Sequence, residues 1–111
     1  MDCIFCAIIT GDLPASVVHR TERVIAIRDI NPQAPVHVLV IPIPHAPNAA
    51  ATAQSDPALI GEMVIAAAAV AEQEGVTDYR LLFSTGAEAG QTVLHTHLHL
   101  LAGTTLAERL V

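Results

Sequence analysis

Three histidines, His95, His97 and His99, occupy alternate positions in one short segment. On a β-strand successive side chains point to opposite faces, so these three imidazoles would share one face of the strand. Imidazole acts as a nucleophile, an acid, a base and a metal ligand near neutral pH. The pattern therefore predicts a site for polar chemistry, and the alternative interpretation is a row of hydrogen-bonded structural histidines.

The residues just before the histidines supply neutral hydrogen-bond donors. Gly90-Gln91-Thr92 provides a flexible backbone, an amide and a hydroxyl, which suit a phosphate or a developing oxyanion. A neutral imidazole nitrogen is a nucleophile at pH 7, and its attack on phosphorus leaves an N–P bond that water can cleave. The other ring nitrogen must carry the proton and needs an acceptor, for which we expect a backbone carbonyl group. Without the histidines, Gly-Gln-Thr would indicate only a turn.

Two cysteines near the start of the chain form a second candidate site. Cys3 and Cys6 place two thiolates on one turn, a spacing that is common at zinc sites. In a reducing compartment such a pair indicates metal or redox chemistry more than a structural disulfide. The alternatives are two free buried thiols and a redox-active pair. The redox interpretation is weaker, because no βαβ pattern surrounds the cysteines.

Composition limits the classes of partner. The chain has 111 residues, enough for one domain over residues 1–111, and its 52% hydrophobic content can form a core. The net charge is −6 and lysine is absent, so no basic patch follows a nucleic-acid backbone, and we expect no nucleic-acid partner. A phosphate ligand would have to be held by imidazole, hydroxyl and backbone N–H groups.

The sequence predicts a cytoplasmic protein with no membrane association. Its first residues lack the basic start and the apolar stretch of a signal peptide. The longest apolar run, from Met63 to Ala71, is too short to span a bilayer.

The hydrophobic pattern predicts an α+β fold, a mostly antiparallel sheet with one long helix on a face and a short N-terminal helix. The long helix begins at Ser55-Asp56-Pro57, where a capping residue precedes proline, and ends near Gly75. The short helix is expected within Cys3–Thr10. The predicted strands are Val17–His19, Val24–Asp29, Val36–Ile41, Tyr79–Ser84 and the histidine strand Val93–Ala102.

The long helix carries apolar residues on more than one face. Its middle, residues 63–71, contains no polar side chain, although a surface helix normally has a wet face. We therefore expect a second copy of the chain to cover this face in a homodimer. The alternative is a helix whose small alanines tolerate water. The residues at helical spacing that predict the core face are Ile60, Met63, Val64, Ala67, Ala68 and Ala71.

These motifs resemble the histidine triad (HIT) family, and within it the HINT-like nucleotide-binding proteins. The family motif His-φ-His-φ-His-φ-φ, where φ is apolar, follows Gly-Gln-Ser/Thr-φ, and it corresponds here to residues 90–101. Thr96 is polar where an apolar residue is usual. The resemblance extends to the Cys3–Cys6 segment and to residues 29–42, and in all it covers about residues 3–103. It implies a single domain with the HIT-like fold.

The resemblance implies roles for individual residues. His97 would be the nucleophile and form a nucleotidyl-histidine intermediate, His99 would contact phosphate oxygens or move protons, and His37 would join a proton relay. Gln91, Thr92 and Ser84 would bind the phosphate side of the substrate, with Ser84 standing where many members have asparagine. Asp29 would accept hydrogen bonds from the ribose hydroxyls. The base pocket would be lined by Ile4, Phe5, Ile8, Ile27 and Ile30, for which ordinary core packing is the alternative.

The resemblance also implies a metal site. Some family members bind zinc through a Cys-x-x-Cys pair and two histidines, and the matching residues here are Cys3, Cys6, His45 and His95. Four protein ligands with no open position would make this zinc structural rather than catalytic. This assignment leaves His97 and His99 for chemistry.

The function implied is a hydrolase for nucleoside 5′-phosphoramidates or related nucleoside monophosphate conjugates, including dinucleoside polyphosphates, cleaved at the α-phosphorus. A nucleotidyltransferase is a variant of this activity. The alternatives are a non-catalytic nucleotide-binding protein and a zinc-stabilised scaffold. A purine nucleotide is the expected ligand, but the sequence does not reveal the base preference, the leaving group, or how Ser84 and the short tail after Gly103 affect specificity.

Overall fold

A computed structural model describes residues 3–106 of the chain, which pack around one five-stranded sheet. All paired strands are antiparallel, so the predicted α+β class with one long helix and a short N-terminal helix is confirmed. The elements are α1 (Ile4–Thr10), β1 (Val17–Arg20), β2 (Val24–Arg28), β3 (Val36–Pro42), α2 (Ala49–Ser55), α3 (Pro57–Gln73), β4 (Tyr79–Leu82), a 3₁₀ turn (Ala87–Ala89) and β5 (Leu98–Ala102). The strands lie in the order β1-β2-β3-β5-β4.

Helix α1 forms between two well-defined caps. The Cys3 side chain accepts a hydrogen bond from the N–H of Cys6 at 3.3 Å, which satisfies a free donor of the first turn. Gly11 ends the helix with φ of +88°, a conformation that glycine adopts without steric cost. The same cap holds both cysteines on one turn.

The sheet carries a hydrophobic cluster on each face. Helix α3 packs on one face against residues such as Val24, Val38 and Leu100, all fully buried. On the other face, Phe5 of α1 packs against Ile25, Ile27, Leu39 and Ile41. His37 alternates with Leu39 along β3, and His99 pairs directly with Leu39, so both imidazoles lie on the α1 face.

The core-facing side of α3 differs from the predicted one. Met63, Ala67 and Ala71 are buried as expected, but Val64 and Ala68 are exposed. The prediction was wrong here because residues 63–71 are apolar all round, so helical spacing alone leaves the orientation open. The buried side is completed by Leu59, Ala66 and Val70.

Among the described residues, no helix has the length and apolar character needed to cross a bilayer.

The histidine segment is only partly a strand, which corrects the prediction for residues 93–102. Strand β5 begins at Leu98, opposite Val40. Continuing this register would place Thr96 opposite Pro42, which has no N–H to donate. The N–H of Thr96 bonds instead to the carbonyl oxygen of Ala46 at 2.9 Å. His95 and His97 therefore precede the strand, but their rings stay on the α1 side of the sheet, because both pack against Phe5 and the His97 ring lies 5.0 Å from that of His99.

Two further elements, α2 and β4, differ from the prediction. Helix α2 was not predicted, although Asn48 caps it by accepting a hydrogen bond from the N–H of Ala51 at 2.9 Å. Helix α3 begins at Pro57, as its N-terminal signal indicated. Strand β4 ends at Leu82, two residues before the predicted end.

Two arginines fasten α3 to β2. Arg23 contacts Asp56 at 2.6 Å and also pairs with Glu62, while Arg28 contacts Glu74 at 2.6 Å beyond the other end of the helix. Because these ion pairs are partly exposed, solvent screens them and each adds little to stability. Both guanidinium groups are thus engaged in the fold.

Gly103, just after β5, offers a test of the packing. Its φ is +93°, and an added Cβ would lie 2.9 Å from the Cβ of Pro35. We expect Gly103→Ala to lower the free energy of unfolding by about 1–3 kcal/mol, measured by urea denaturation. Gly61→Ala on α3 is the control. A Cβ there meets nothing within 4 Å, so this change should stabilise the chain by about 1 kcal/mol. Equal effects at the two positions would contradict the expectation.

Candidate functional site

The ring of His97 is fixed so that one nitrogen is available. Its Nδ1 lies 2.8 Å from the carbonyl oxygen of His95. Because a carbonyl only accepts, Nδ1 carries the proton in neutral His97, and Nε2 keeps its lone pair. Phe5 of α1 packs edge-on against the imidazole, with 5.0 Å between ring centroids. The predicted carbonyl acceptor is present, and the ring is oriented for attack through Nε2.

His37 and His99 form a directional hydrogen-bonded pair. The backbone N–H of Gln33 donates to Nδ1 of His37 at 3.0 Å, so the proton of neutral His37 resides on Nε2. That Nε2 lies 2.9 Å from Nδ1 of His99, which must accept, and the proton of His99 therefore resides on its Nε2. The rings of His99 and His97 are 5.0 Å apart between centroids. The ring that carries this Nε2–H donor thus neighbours the His97 ring.

Asp29 completes this polar cluster. Its Oδ1 accepts from the N–H of Asn31 at 2.8 Å, which orders the loop after β2. Its Oδ2 lies 3.4 Å from Nε2 of His37. The carboxylate is partly exposed, so it can accept hydrogen bonds from a bound hydroxyl group.

Burial keeps the imidazoles of the cluster neutral. It lowers the pKa of His99 to about 4, an effect to which the neighbouring His97 and His37 contribute and which Asp29 opposes. Burial also lowers the pKa of His37, again against the attraction of Asp29. A second proton on His37 would in addition face the N–H of Gln33. At pH 7 the pair therefore holds one proton per ring.

Cys3, Cys6, His45 and His95 come together in a second cluster, where their ligand atoms all lie within 4.8 Å of one another. His95 is completely buried, and its Nε2 lies 2.8 Å from the carbonyl oxygen of Pro42, so Nδ1 carries the lone pair. Nδ1 of His95 is 3.3 Å from Sγ of Cys3 and 3.6 Å from Sγ of Cys6. Nδ1 of His45 is 3.0 Å from Nδ1 of His95 and 3.4 Å from Sγ of Cys6.

The three nitrogen–sulfur distances suit a tetrahedral cation, whereas the two Nδ1 atoms are slightly closer than such an ion would hold them. Zinc with bonds of about 2.1 Å to nitrogen and about 2.3 Å to sulfur keeps its ligand atoms roughly 3.3–3.8 Å apart. Burial and the adjacent Cys3 raise the pKa of the Cys6 thiol, and a cation between the sulfurs would favour both thiolates. The carbonyl of Pro42 fixes the His95 tautomer in the way that outer partners orient metal ligands.

Asp29, His37 and His99 are also residue types that bind metals, and their ligand atoms lie within 4.8 Å of one another. A metal on Nε2 of His37 would move the ring proton to Nδ1, where it would face the N–H of Gln33. That arrangement opposes two donors and loses a hydrogen bond. The cluster is therefore better suited to holding protons than to holding a cation.

The three residues predicted to bind phosphate differ in how accessible they are. The Gln91 side chain is buried and occupied, because its Nε2 donates to the carbonyl oxygens of Pro47 at 2.6 Å and Val93 at 2.9 Å. Its Oε1 accepts from the N–H of Gly86 at 2.9 Å. Thr92 is exposed, and Ser84, two residues beyond β4, is partly buried. Gln91 thus braces the loop, whereas the two hydroxyls are the more accessible groups.

The residues predicted for the base pocket have very different exposures. Phe5 and Ile27 are buried in the α1-side cluster, and Ile8 packs at its edge. Ile4 is 46% exposed, and Ile30 is fully exposed. Buried members contribute to the core as well as to any pocket wall, while Ile4 and Ile30 offer free apolar surface to a ligand.

Two contributors to the site were missed by sequence reasoning. The N–H of Gln33 sets the His37 tautomer, and no residue type encodes a backbone donor. Thr52 of α2 bonds to Thr96 within the histidine segment at 2.7 Å. The polar residue at position 96, unusual for the motif, was the available signal that a buried partner exists.

Comparison with known proteins agrees with this geometry. A model of the HIT domain family matches residues 10–106. The chain belongs to the HIT family. The solved structure of a HIT family hydrolase from Clostridium thermocellum is 44% identical to it, with a TM-score of 0.94 over 99% of this chain and 97% of that one. A HIT family hydrolase from Legionella pneumophila is 39% identical, with a TM-score of 0.92 over 97% and 98%.

Curated relatives cover nearly the whole HIT chain. An uncharacterised HIT-like protein of Synechocystis is 46% identical over 92% of this chain and 90% of its own length. The purine nucleoside phosphoramidase of Escherichia coli is 40% identical over 98% of this chain and 93% of its own length. Family and fold are thereby established together.

Proposed function

We propose that this HIT protein is a hydrolase that cleaves nucleoside 5′-phosphoramidates, or related nucleoside monophosphate conjugates, at the α-phosphorus. The observation that carries the proposal is the hydrogen bond from Nδ1 of His97 to the carbonyl of His95, which leaves Nε2 as the nucleophile. The name of the E. coli relative supports a purine nucleoside phosphoramidate as the substrate.

In the first step Nε2 of His97 attacks the α-phosphorus. The new N–P bond forms while the P–N bond to the leaving amine breaks, and the amine takes up one proton. Solvent water supplies this proton, while the Nε2–H of His99 is positioned to donate a hydrogen bond to the departing amine. The proton on Nδ1 of His97 stays in place, so the carbonyl of His95 stabilises the positive ring of the nucleotidyl-histidine intermediate.

In the second step water attacks the phosphorus, the O–P bond forms as the N–P bond breaks, and the proton that the water loses passes to solvent. The nucleoside monophosphate leaves, and His97 regains its neutral form with Nε2 free. His37 donates its Nε2–H to Nδ1 of His99, which keeps the proton of His99 on its Nε2. A non-water acceptor in the same position would make the enzyme a nucleotidyltransferase.

Substrate binding uses neutral groups and one carboxylate. We assign the ribose hydroxyls to Asp29 and the phosphate oxygens to Thr92 and Ser84, while Gln91 supports the loop around the phosphate. The base would lie on the apolar surface formed by Ile4, Phe5, Ile8, Ile27 and Ile30.

The charge pattern favours an amine over a polyphosphate as the leaving group. The chain has no lysine and a net charge of −6, and Arg23 and Arg28 are held in ion pairs. A dinucleoside polyphosphate places several negative charges beside the site, whereas a phosphoramidate places far fewer. Dinucleoside polyphosphates are therefore the second candidate substrate.

We also propose that Cys3, Cys6, His45 and His95 hold one structural zinc ion. When bound, the metal supplies a cross-link and no open coordination position for chemistry. It would join α1, which carries Phe5, to the segment that carries His97. The interatomic distances and the lone pair on Nδ1 of His95 support this assignment.

We further propose a homodimer, a single domain over residues 1–111 and a cytoplasmic location. The exposed side of α3 supports the dimer, because it presents Ile65, 71% exposed, and Val64, 41% exposed, beside Ala68. The exposed side chains of Val64 and Ile65 are larger than those of alanine, so the alternative of a water-tolerant alanine face fits this side of α3 less well. We keep the sequence-based expectation that the ligand is a nucleotide and that neither nucleic acid nor membrane is a partner.

The catalytic proposal is tested by replacing His97 with alanine. Because the covalent intermediate is lost, we expect kcat/KM for adenosine 5′-phosphoramidate to fall by at least about 10³-fold with an unchanged circular dichroism spectrum. His19→Ala, in β1 outside both clusters, is the matched control and should keep full activity. Mass spectrometry of the quenched wild type should locate a nucleotidyl group on His97. An adduct on another residue would overturn the assignment of roles, and saturable binding without turnover would favour the non-catalytic alternative.

The zinc proposal is tested by metal analysis of protein made with zinc available. We expect about one zinc per chain, and His45→Ala should weaken zinc affinity by more than about 100-fold, since changes to outer partners alone cost about 10- to 100-fold. His45 is exposed, so its loss costs little packing. His19→Ala again serves as the control. Wild-type protein with less than about a quarter equivalent of zinc would argue against the site.

The dimer is tested by sedimentation velocity at micromolar concentration. We expect twice the chain mass for the wild type and the single mass for Ile65→Glu, because a buried unpaired carboxylate destabilises an apolar interface. Gln54→Glu on the exposed side of α2 adds the same charge and should leave the dimer intact. A wild-type mass equal to one chain would contradict the proposal.

A further inference from the structure

Two buried hydroxyl groups meet beside the histidine segment. Oγ1 of Thr52 on α2 lies 2.7 Å from Oγ1 of Thr96, and each threonine is only 1% exposed. Burying a hydroxyl destabilises the fold unless it finds a hydrogen-bond partner. The pair therefore needs a complete set of partners within the protein.

Both hydroxyl protons find an acceptor in only one arrangement of these hydrogen bonds. Oγ1 of Thr96 also lies 3.3 Å from the carbonyl oxygen of Ala46, which only accepts. If Thr52 donates to Thr96, and Thr96 donates to Ala46, both protons are used. The N–H of Thr96 donates to the same carbonyl at 2.9 Å. Thr96 is thus held to Ala46 through its backbone and its side chain.

This chain of bonds connects the parts that carry both clusters. Ala46 follows His45, a proposed zinc ligand, and Thr96 stands between His95 and His97. Thr52 ties them to α2. A shift of Thr96 would move the carbonyl of His95, to which the His97 ring is bonded, together with the spacing between His45 and His95.

A pair of valines would fill the same space as the two threonines but would form no directional hydrogen bond. Valine has the shape of threonine, and replacing both members of a buried hydrogen bond by apolar groups of equal shape is nearly neutral for stability. The hydroxyl pair therefore contributes little net stability. Its distinctive effect is to fix where the histidine segment lies, at a position where the family motif is usually apolar.

We propose that Thr52 and Thr96 are positioning residues that set both the orientation of His97 and the geometry of the Cys3, Cys6, His45 and His95 cluster. The catalytic half of this inference rests on the proposed hydrolase function. The metal half does not, because it is measured by Co²⁺ or Zn²⁺ affinity alone.

The test compares Thr96→Val, Thr52→Val and the double variant T52V/T96V with the wild type. We expect each to lower kcat for adenosine 5′-phosphoramidate about tenfold with KM little changed, and to weaken Co²⁺ affinity about tenfold, measured by chelator competition. Each single variant leaves a buried hydroxyl with fewer partners, so its melting temperature should fall. The double variant should recover melting temperature but not kcat or Co²⁺ affinity, a separation that a purely stabilising role would not give.

Thr96→Ser keeps the hydroxyl and should restore kcat and Co²⁺ affinity. If a single variant fails to fold, the double variant supplies the comparison, since it leaves no hydroxyl unpaired. Wild-type kcat and Co²⁺ affinity in T52V/T96V would overturn the inference. If no variant, the wild type included, hydrolyses the substrate while Co²⁺ affinity still shifts, the proposed function fails and positioning of the metal cluster stands.

Discussion

The hydrogen bond between the His97 ring and the carbonyl of His95 is the contact that joins the two polar clusters of this HIT protein. It lies just before Leu98, where the chain leaves the β-ladder next to Pro42, which lacks an N–H. Nδ1 of His95 is 3.3 Å from Sγ of Cys3, whereas the His97 ring lies 5.0 Å from that of His99. One short segment thus supplies a ring to each cluster, and this hydrogen bond ties the two rings together.

The elements predicted correctly are those whose start or end is marked by residues in their own sequence. The short apolar segment that ends at Gly11 predicted α1, and Pro57 predicted the start of α3. The early start predicted for the histidine strand was wrong, because the interruption comes from Pro42, a residue of another strand. The orientation of α3 was also missed, since its apolar residues surround the helix and the packing of the sheet decides which side is buried.

For the candidate site, the sequence indicated which residue types come together but not their connections. His37 and His99 could be selected as histidines, yet their proton positions depend on a backbone N–H that no residue letter records. Gln91 illustrates the opposite case. Its amide suggested a phosphate ligand, and the structure shows each end of that amide already bonded to the main chain. Long-range satisfaction of polar groups, rather than residue identity, determined these outcomes.

The donor that fixes the His37 tautomer has a consequence for how this enzyme family can vary. Every amino acid except proline carries a peptide N–H, so the group at position 33 survives almost any substitution there. The state of the imidazole is consequently written into the path of the main chain rather than into the glutamine side chain. Substitutions in that loop can change its surface while the proton positions on the rings of His37 and His99 stay the same.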